Sequence, residues 1–203
     1  MSRILVFGAA GRTGQVVVEE ALRAGHEVTA AVRRPRDLPC EVVRADVLDV
    51  ESVRAAAKGH DAVVSAIGPA GRKAAGLYSG AARTFTAALP EAGVSRLVVL
   101  SSAGVRHDDP AFALWYRVVA RTLLNELYGD MREMESILRE STLDWTSVRP
   151  ARITDDEPTG DYRVGDGATP AGGREIPRAD LARFILGALD EPRWVRSAPT
   201  LAR

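Results

Sequence analysis

Short apolar runs alternate with segments of helical periodicity from the first residues of the chain to about residue 150. The runs are rich in Val, Ile and Leu and lack polar alternation, which is typical of strands covered by helices on both faces. Because strands and helices alternate with short connections, the pattern predicts a parallel, doubly wound α/β sheet with right-handed crossovers. Strands are predicted at 3–7, 27–32, 41–44, 62–66, 96–100 and 144–148, and helices at 12–24, 50–58, 78–92 and 113–141.

The pattern changes after residue 149, where Gly and Pro become frequent. Residues 155–177 are too irregular for a core layer and too short for a separate domain, although 162–164 have the composition of a short strand. A segment of this kind is typically a loop that closes over a site. Residues 178–190 return to helical spacing. We therefore expect a single domain, 1–203, in which 152–177 form a loop region on the substrate side.

The composition is that of a globular protein without a strongly charged partner. Of 203 residues, 46% are hydrophobic and 27% are charged, and the 27 basic residues balance the 27 acidic ones. This balance argues against binding to nucleic acid or to an anionic membrane, and the apolar stretches are far too short to span a bilayer. The first apolar run has no basic segment before it and no cleavage site, so we expect a buried strand rather than a signal peptide, and a cytoplasmic location.

The cysteine and histidine residues give no support for a metal site. The single cysteine, Cys40, excludes an internal disulfide and a zinc site built from several thiolates. The three histidines, His26, His60 and His107, lie far apart and lack the spacing of metal ligands. We therefore expect no bound metal.

The strongest chemical signal is a glycine-rich turn directly after the first predicted strand. Gly8, Gly11 and Gly14 follow that strand and open a predicted helix. In dinucleotide-binding folds the first glycine allows a tight turn, the second lets the backbone approach the pyrophosphate, and the third lets helix and strand pack closely. The helix amino terminus offers N–H donors to the phosphates. The spacing therefore predicts a dinucleotide site; the alternative is a glycine turn in a fold that no longer binds one.

The end of the second predicted strand indicates which dinucleotide is bound. Enzymes that use NAD place Asp or Glu there for the ribose hydroxyls, whereas this chain has Arg33-Arg34-Pro35. Guanidinium groups pair with a 2′-phosphate, and Arg12 in the turn lies where it can stack or pair beside it. The sequence favours NADP(H), and a solvated basic bend is the alternative.

Two further segments fit the same site. Asp46 follows the third strand, where its carboxylate can accept a hydrogen bond from the adenine amine, although a simple helix cap would look identical in the sequence. The segment 65–69 (SAIGP) leaves the fourth strand with small residues. It lies at the carboxyl edge of the predicted sheet, where ligands of open α/β sheets bind.

Together these motifs resemble a known family. The glycine turn, the arginine corner, and the segments 44–47 (RADV), 99–103 (VLSSA) and 147–150 (SVRP) resemble the atypical short-chain dehydrogenases with an NAD(P)-binding, NmrA-like domain. The second half is most similar to flavin reductase/biliverdin-IXβ reductase, at 134–143 (MESILRESTL), 149–155 (RPARITD), 157–162 (EPTGDY) and 176–181 (IPRADL). The resemblance runs from end to end. It implies a Rossmann-type fold and hydride transfer from NADPH to a planar, conjugated acceptor such as a flavin, a linear tetrapyrrole or a quinone.

The resemblance also implies site residues. The active-site serine of the family falls on Ser102, and the nicotinamide-side residues fall on the segment that follows the sixth strand. The family has a histidine near the substrate where this chain has Arg152, which cannot act as an acid or base near pH 7 but can bind a carboxylate or phosphate. We therefore expect Ser102 and Arg152 at the reacting centre. The expected cofactor-binding residues are Gly8, Ala10, Gly11, Arg12, Thr13, Gly14, Arg33, Arg34, Asp46, Val47, Ala66, Ile67, Gly68, Ser101, Ser102, Pro150, Ala151 and Ile153.

The proton donor of classical short-chain dehydrogenases is missing from the sequence. Those enzymes use a Tyr-x-x-x-Lys pair, but none of the 4 tyrosines has a lysine at that spacing. Tyr128 is followed by Arg132, which cannot shuttle protons, and Tyr116 is expected to be a wall or core residue. No GxSxG turn surrounds Ser102, so we expect its hydroxyl to bond the nicotinamide carboxamide or the acceptor. We expect the proton to come from water.

The leading hypothesis is an NADPH-dependent reductase that orients nicotinamide C4 against a flat acceptor. Two alternatives stay open: a non-catalytic, NmrA-like sensor that holds NADP(H), and a pathway-specific reductase or isomerase of an aromatic metabolite. The expected partner is a small conjugated molecule, and a monomer is favoured over a homodimer. The acceptor pocket is expected to form from loops 68–77, 102–112 and 152–177, with Arg72, Lys73 and Arg152 as candidates for binding an anionic acceptor.

Overall fold

The computed structural model of the chain describes residues 1–34, 36–69, 71, 74–106, 109 and 124–203. Within these ranges most strands join one sheet, and two short strands form a separate pair. The strands are β1 (Arg3–Phe7), β2 (Glu27–Val32), β3 (Glu41–Arg44), β4 (Ala62–Ser65), β5 (Arg96–Leu100), β6 (Asp144–Pro150), β7 (Arg152–Thr154), β8 (Arg163–Asp166), β9 (Glu175–Pro177) and β10 (Pro199–Ala202).

The main sheet has the strand order β3-β2-β1-β4-β5-β6-β10-β8. All neighbouring pairs are parallel except β8, which runs antiparallel to β10. The chain moves outward from β1 to β3 and then returns to the other side of β1 with β4, which makes a topological switch point between β1 and β4. Ligands of open α/β sheets bind outside the carboxyl ends of the strands at such a point.

Helices cover both faces of the sheet. The helices are α1 (Arg12–Arg23), α2 (Val50–Ala57), α3 (Leu77–Glu91), α4 (Asn125–Glu140) and α5 (Arg178–Asp190). Helices α1 and α5 pack on one face, and α3 packs between α2 and α4 on the other. Successive side chains of β1 point to opposite faces, so Leu5 and Phe7 join one apolar core while Ile4 and Val6 join the other. The predicted doubly wound, Rossmann-type α/β domain is confirmed.

The carboxyl-terminal third is more regular than its sequence indicates. Part of the segment 152–177, which was expected to be a loop region, forms β7 and β9, which pair with each other. The short strand expected at 162–164 is seen as β8, which covers Arg163–Asp166 and joins the edge of the main sheet. Strand β10, whose four residues are buried, is not predicted from the sequence. β7, β9 and β10 are three or four residues long and pair with distant segments, so no local periodicity marks them.

The helical boundaries agree with expectation to within about one residue where both ends can be compared, as in α5. The predicted helix at 113–141 is seen from Asn125 to Glu140, and its part at 113–123 lies outside the described residues. In the described part of the chain no helix combines the length and apolar character needed to cross a membrane.

Candidate functional site

The glycine-rich turn lies at the switch point, and close backbone contacts account for two of its glycines. Gly8 has a φ of +75°, and a Cβ on it would lie 2.5 Å from the carbonyl oxygen of Ala66, where the chain leaves β4. A Cβ on Gly14 would overlap the carbonyl oxygen of Gly8. Because the obstructing atoms are backbone atoms that cannot turn away, both positions require glycine. The turn after β1 is thus packed directly against the exit of β4.

Gly11 differs from these two glycines, because a side chain there would make a tight contact rather than an overlap. A Cβ there would lie 3.2 Å from the Gly8 carbonyl oxygen, which already accepts a hydrogen bond from the Gly11 N–H at 2.9 Å. Gly11 is the N-cap of α1, and no side chain caps this end. The first-turn N–H groups of a helix have no intrahelical partners, so this terminus offers N–H donors to a ligand. A dinucleotide pyrophosphate is such a ligand.

Three charged side chains form an ion-pair cluster beside this turn. Asp155, which follows β7, pairs with Arg12 in α1 and accepts a hydrogen bond from Arg178 Nε at 2.8 Å. Arg178 Nη1 also donates to Thr13 Oγ1 at 2.6 Å. The hydrogen bond from Arg178 holds the pKa of Asp155 below its ordinary value. Arg12 and Thr13 are expected at this turn from the sequence. Asp155 and Arg178 are not, although both lie in segments that carry the family resemblance.

A second open region lies beyond the end of β2. It is a cleft of about 270 Å³ lined by Arg33, Arg44, Ala45, Asp46, Asp49 and Ser52. The guanidinium groups of Arg33 and Arg34 are exposed, and neither forms an ion pair with any described residue. Pro35 lies outside the described residues.

The hydrogen bonds beside the cleft show which residue caps α2. The helix cap of α2 is Asp49, which accepts a hydrogen bond from the Ser52 N–H at 2.9 Å. Asp46 accepts from the Leu48 N–H at 3.0 Å through one oxygen and is exposed on the cleft wall. Asp46 is therefore not a helix cap, and its carboxylate is available for an adenine amine. Val47 is buried in the core below.

The carboxyl ends of β4 and β5 continue this edge of the sheet. Ala66 is buried and donates its N–H to the Phe7 carbonyl oxygen at 2.9 Å, Ile67 is half-buried, and Gly68 is exposed. Ser102 is half-buried and its hydroxyl oxygen accepts a hydrogen bond from the Gly104 N–H at 3.2 Å. A hydroxyl that accepts one hydrogen bond still has a proton to donate to a ligand.

The side chain of Ser101 points into the protein rather than toward the open edge. It donates to Glu135 Oε1 at 3.0 Å, and Ser147 Oγ donates to the same oxygen at 2.8 Å. Arg149 Nε donates to Oε1 at 2.9 Å, and its Nη2 pairs with the other carboxylate oxygen. Glu135 itself is only 2% exposed. This network joins α4 to the ends of β5 and β6, and sequence analysis missed Glu135, which lies in the helical segment 134–143.

The predicted nicotinamide-side residues follow β6. Pro150 is buried, and the Ala151 N–H donates to the Leu201 carbonyl oxygen at 2.9 Å. Ile153 packs into the core that contains α1. The Arg152 side chain is 74% exposed and pairs with Glu175 across the β7–β9 pair. Hydrogen bonds from Arg203 and Arg152 hold the pKa of Glu175 below its ordinary value.

Two of the loops expected to form the acceptor pocket are tied together. Asp109, after β5, is buried and accepts from the Thr169 N–H at 2.9 Å and the Thr169 hydroxyl at 2.8 Å. Arg106 Nη1 donates to the Gly167 carbonyl oxygen at 3.3 Å. The predicted pocket residues Arg72 and Lys73 lie outside the described residues, as does most of the loop after 109.

Burial makes two of the described tyrosines, Tyr78 and Tyr162, weaker acids than a free phenol. Burial, with a contribution from Asp130, raises the pKa of Tyr78 to about 12. Burial likewise raises the pKa of Tyr162, which packs against Phe184. Tyr128 is buried, and its ring lies so close to Gly104 that a Cβ there would overlap it. Tyr116 lies outside the described residues.

Comparisons with known proteins agree with this geometry. A family model described as NAD(P)H-binding matches residues 8–192. The uncharacterized protein YwnB of Bacillus subtilis is 31% identical over 94% of this chain and 93% of its own length.

Solved structures share the whole fold. A "putative NADH-flavin reductase" of Streptococcus pneumoniae is 26% identical, with 100% of each chain covered and a TM-score of 0.83. A "Putative exported protein" of Burkholderia pseudomallei is 31% identical, also with 100% of each chain covered and a TM-score of 0.83. The first name specifies NADH, whereas we expect NADPH for this chain. The second specifies an exported protein, whereas we expect a cytoplasmic one. The choice of NADP(H) and the cytoplasmic location therefore stay predictions.

Proposed function

Because this chain belongs to the NAD(P)H-binding family, we propose that it is an NADPH-dependent reductase that transfers hydride to a planar, conjugated acceptor. The observation that carries the proposal is the uncapped first turn of α1, which lies against the exit of β4 at the switch point of the sheet. A flavin, a linear tetrapyrrole or a quinone suits a site that lacks a Tyr-x-x-x-Lys pair. The similarity to a protein named for NADH-flavin reduction supports this acceptor class.

Each part of the site has a role in the proposed reaction. The first turn of α1 binds the pyrophosphate, Asp46 accepts from the adenine amine, and Arg33 and Arg34 pair with the 2′-phosphate. Ser102 donates its hydroxyl proton to the carboxamide or the acceptor and so fixes their orientation. Bound NADPH supplies the hydride from nicotinamide C4, and the acceptor takes up both electrons with that hydrogen. Water supplies the proton.

NADPH is expected to bind at least about tenfold more tightly than NADH, because a charge-assisted hydrogen bond to phosphate contributes roughly 1.5–3 kcal/mol. Arg33→Ala should weaken NADPH binding by about tenfold and leave NADH binding nearly unchanged, as measured by calorimetric titration. Arg193→Ala, which removes an exposed arginine from another part of the surface, is the matched control and should alter neither affinity. Equal dissociation constants for the two cofactors in the unmodified protein would refute the preference.

The reductase proposal is tested by supplying NADPH with FMN, biliverdin or a neutral benzoquinone and following the nicotinamide absorbance. We expect turnover with at least one acceptor, and none with a Gly11→Val variant that cannot bind the cofactor. If the protein binds NADPH but oxidises it with no acceptor of the three classes, the reductase assignment is wrong. A sensor that holds NADP(H) would then be the better reading.

A further inference from the structure

The ion-pair cluster beside the glycine turn places an acidic side chain where the dinucleotide phosphates are expected. The two oxygens of Asp155 are divided between two arginines, with Oδ1 on Arg178 and Oδ2 on Arg12. Arg178 is at the same time bonded to the hydroxyl of Thr13 in the first turn of α1. The carboxylate therefore neutralises part of the positive charge that this end of the helix presents to an anion.

The three side chains differ in how firmly they are held. Arg178 is only 12% exposed and begins α5, so its position is fixed by the packing of that helix. Asp155 is 58% exposed and follows the last residue of β7. The chain is held again at Thr159 and Gly160, whose N–H groups donate to the buried carboxylate of Asp180 at 3.0 and 3.1 Å. Asp155 thus lies on a short exposed segment between two anchored points.

A carboxylate and a phosphate compete for the same guanidinium groups. Both anions accept paired hydrogen bonds from arginine, and a phosphate carries more acceptor oxygens. An arriving pyrophosphate meets the repulsion of Asp155 unless that side chain leaves the arginines. Once it has left, the N–H groups of Arg178 face the first turn of α1, next to Thr13.

We propose that Asp155 is a resident anion that competes with the dinucleotide pyrophosphate for Arg12 and Arg178, and that Arg178 is a ligand of the bound pyrophosphate. This inference rests on the dinucleotide site of the proposed function but not on its acceptor. Asp155 weakens the affinity for the dinucleotide and favours its release, while Arg178 strengthens it. Arg12 pairs with Asp155 and does not line the cleft that contains Arg33, so the contact concerns the pyrophosphate rather than the 2′-phosphate and is common to NADP(H) and NAD(H).

Asp155→Asn is expected to lower the dissociation constants of NADP⁺ and NAD⁺ by the same factor, roughly fivefold at low salt, because one unit of charge at a few ångströms in water has about that effect. The gain should shrink as ionic strength rises. Arg178→Gln should weaken both dinucleotides by about tenfold or more. Adenosine 2′-phosphate, which has no pyrophosphate, should bind the unmodified protein and Asp155→Asn equally. Calorimetric titration measures all of these.

Asp156→Asn is the matched control for Asp155→Asn. The neighbouring carboxylate pairs with Arg203 at 2.6 Å and not with Arg12 or Arg178, so its removal changes the net charge equally without freeing the cluster. We expect less than about a twofold change in either affinity. Equal tightening by Asp156→Asn, or unchanged or weaker binding by Asp155→Asn, would overturn the inference. Because only binding is measured, a protein without reductase activity would contradict the proposed function and leave this inference intact.

Discussion

Gly11→Val is expected to abolish binding of NADPH and NADH while the protein stays folded. The φ of −81° and ψ of 164° at Gly11 are extended values that a β-branched residue adopts readily. The Cβ would approach the Gly8 carbonyl oxygen to 3.2 Å, which a small shift can relieve. The two methyl groups would then cover the uncapped N–H groups that receive the pyrophosphate. Calorimetric titration measures the loss of binding, and thermal unfolding followed by circular dichroism measures the fold.

Two other glycine substitutions serve as controls for this result. Gly187→Ala places a methyl group in open space within α5 and should keep cofactor binding while raising stability by roughly 1 kcal/mol. Gly14→Ala should instead destabilise the protein itself, because its Cβ overlaps the Gly8 backbone. A folded Gly11→Val variant that still binds NADPH tightly would show that the pyrophosphate lies elsewhere.

The strands and glycines that were predicted correctly have one property in common: the residues that mark them lie close together in the sequence. β1, β2, β4, β5 and β6 are mostly buried apolar runs, and β3 is a partly buried strand at the sheet edge. Gly8 and Gly14 are required by contacts within a few residues or with the adjacent strand. In contrast, β10 was not predicted, because it is four residues long and depends on pairing with β6 and β8. Strands of this kind carry too few residues to show a period.

In the candidate site, too, some residues could be predicted from neighbouring sequence and others could not. Gly8, Gly11 and Gly14 were recognised from their spacing, but Asp155 is separated from Arg12 by 143 positions, and nothing near either residue predicts the pair. Asp46 resembles a helix cap in the sequence, and only the hydrogen bond from the Ser52 N–H shows that the cap is Asp49.

Arg152 is a further example of a partner that the sequence does not reveal. The sequence supports a role for it in binding an acidic acceptor, and the structure pairs it with Glu175. An acidic acceptor would have to compete with that carboxylate for the guanidinium group, so the proposed role includes exchange of the Glu175 partner.

Glu135→Ala is expected to destabilise the protein by about 3–5 kcal/mol in the free energy of unfolding. The buried carboxylate accepts hydrogen bonds from Ser101, Ser147 and Arg149, and its loss leaves the mostly buried guanidinium of Arg149 without its partner. Urea unfolding measures the change. Glu133→Ala, in the same helix, removes a carboxylate from an exposed pair with Arg83 and should cost less than about 1 kcal/mol.

The double variant Glu135→Leu with Arg149→Met distinguishes a lost ion pair from a simple loss of packing. Removing one partner leaves an uncompensated charge in the interior, whereas removing both eliminates that cost. The double variant should therefore be more stable than Glu135→Leu alone. With the Arg149→Met single variant measured as well, the double-mutant cycle should give a coupling energy of about 1–3 kcal/mol. If Glu135→Ala costs no more than Glu133→Ala, or the two changes are additive, the ion pair does not hold the ends of β5 and β6 together.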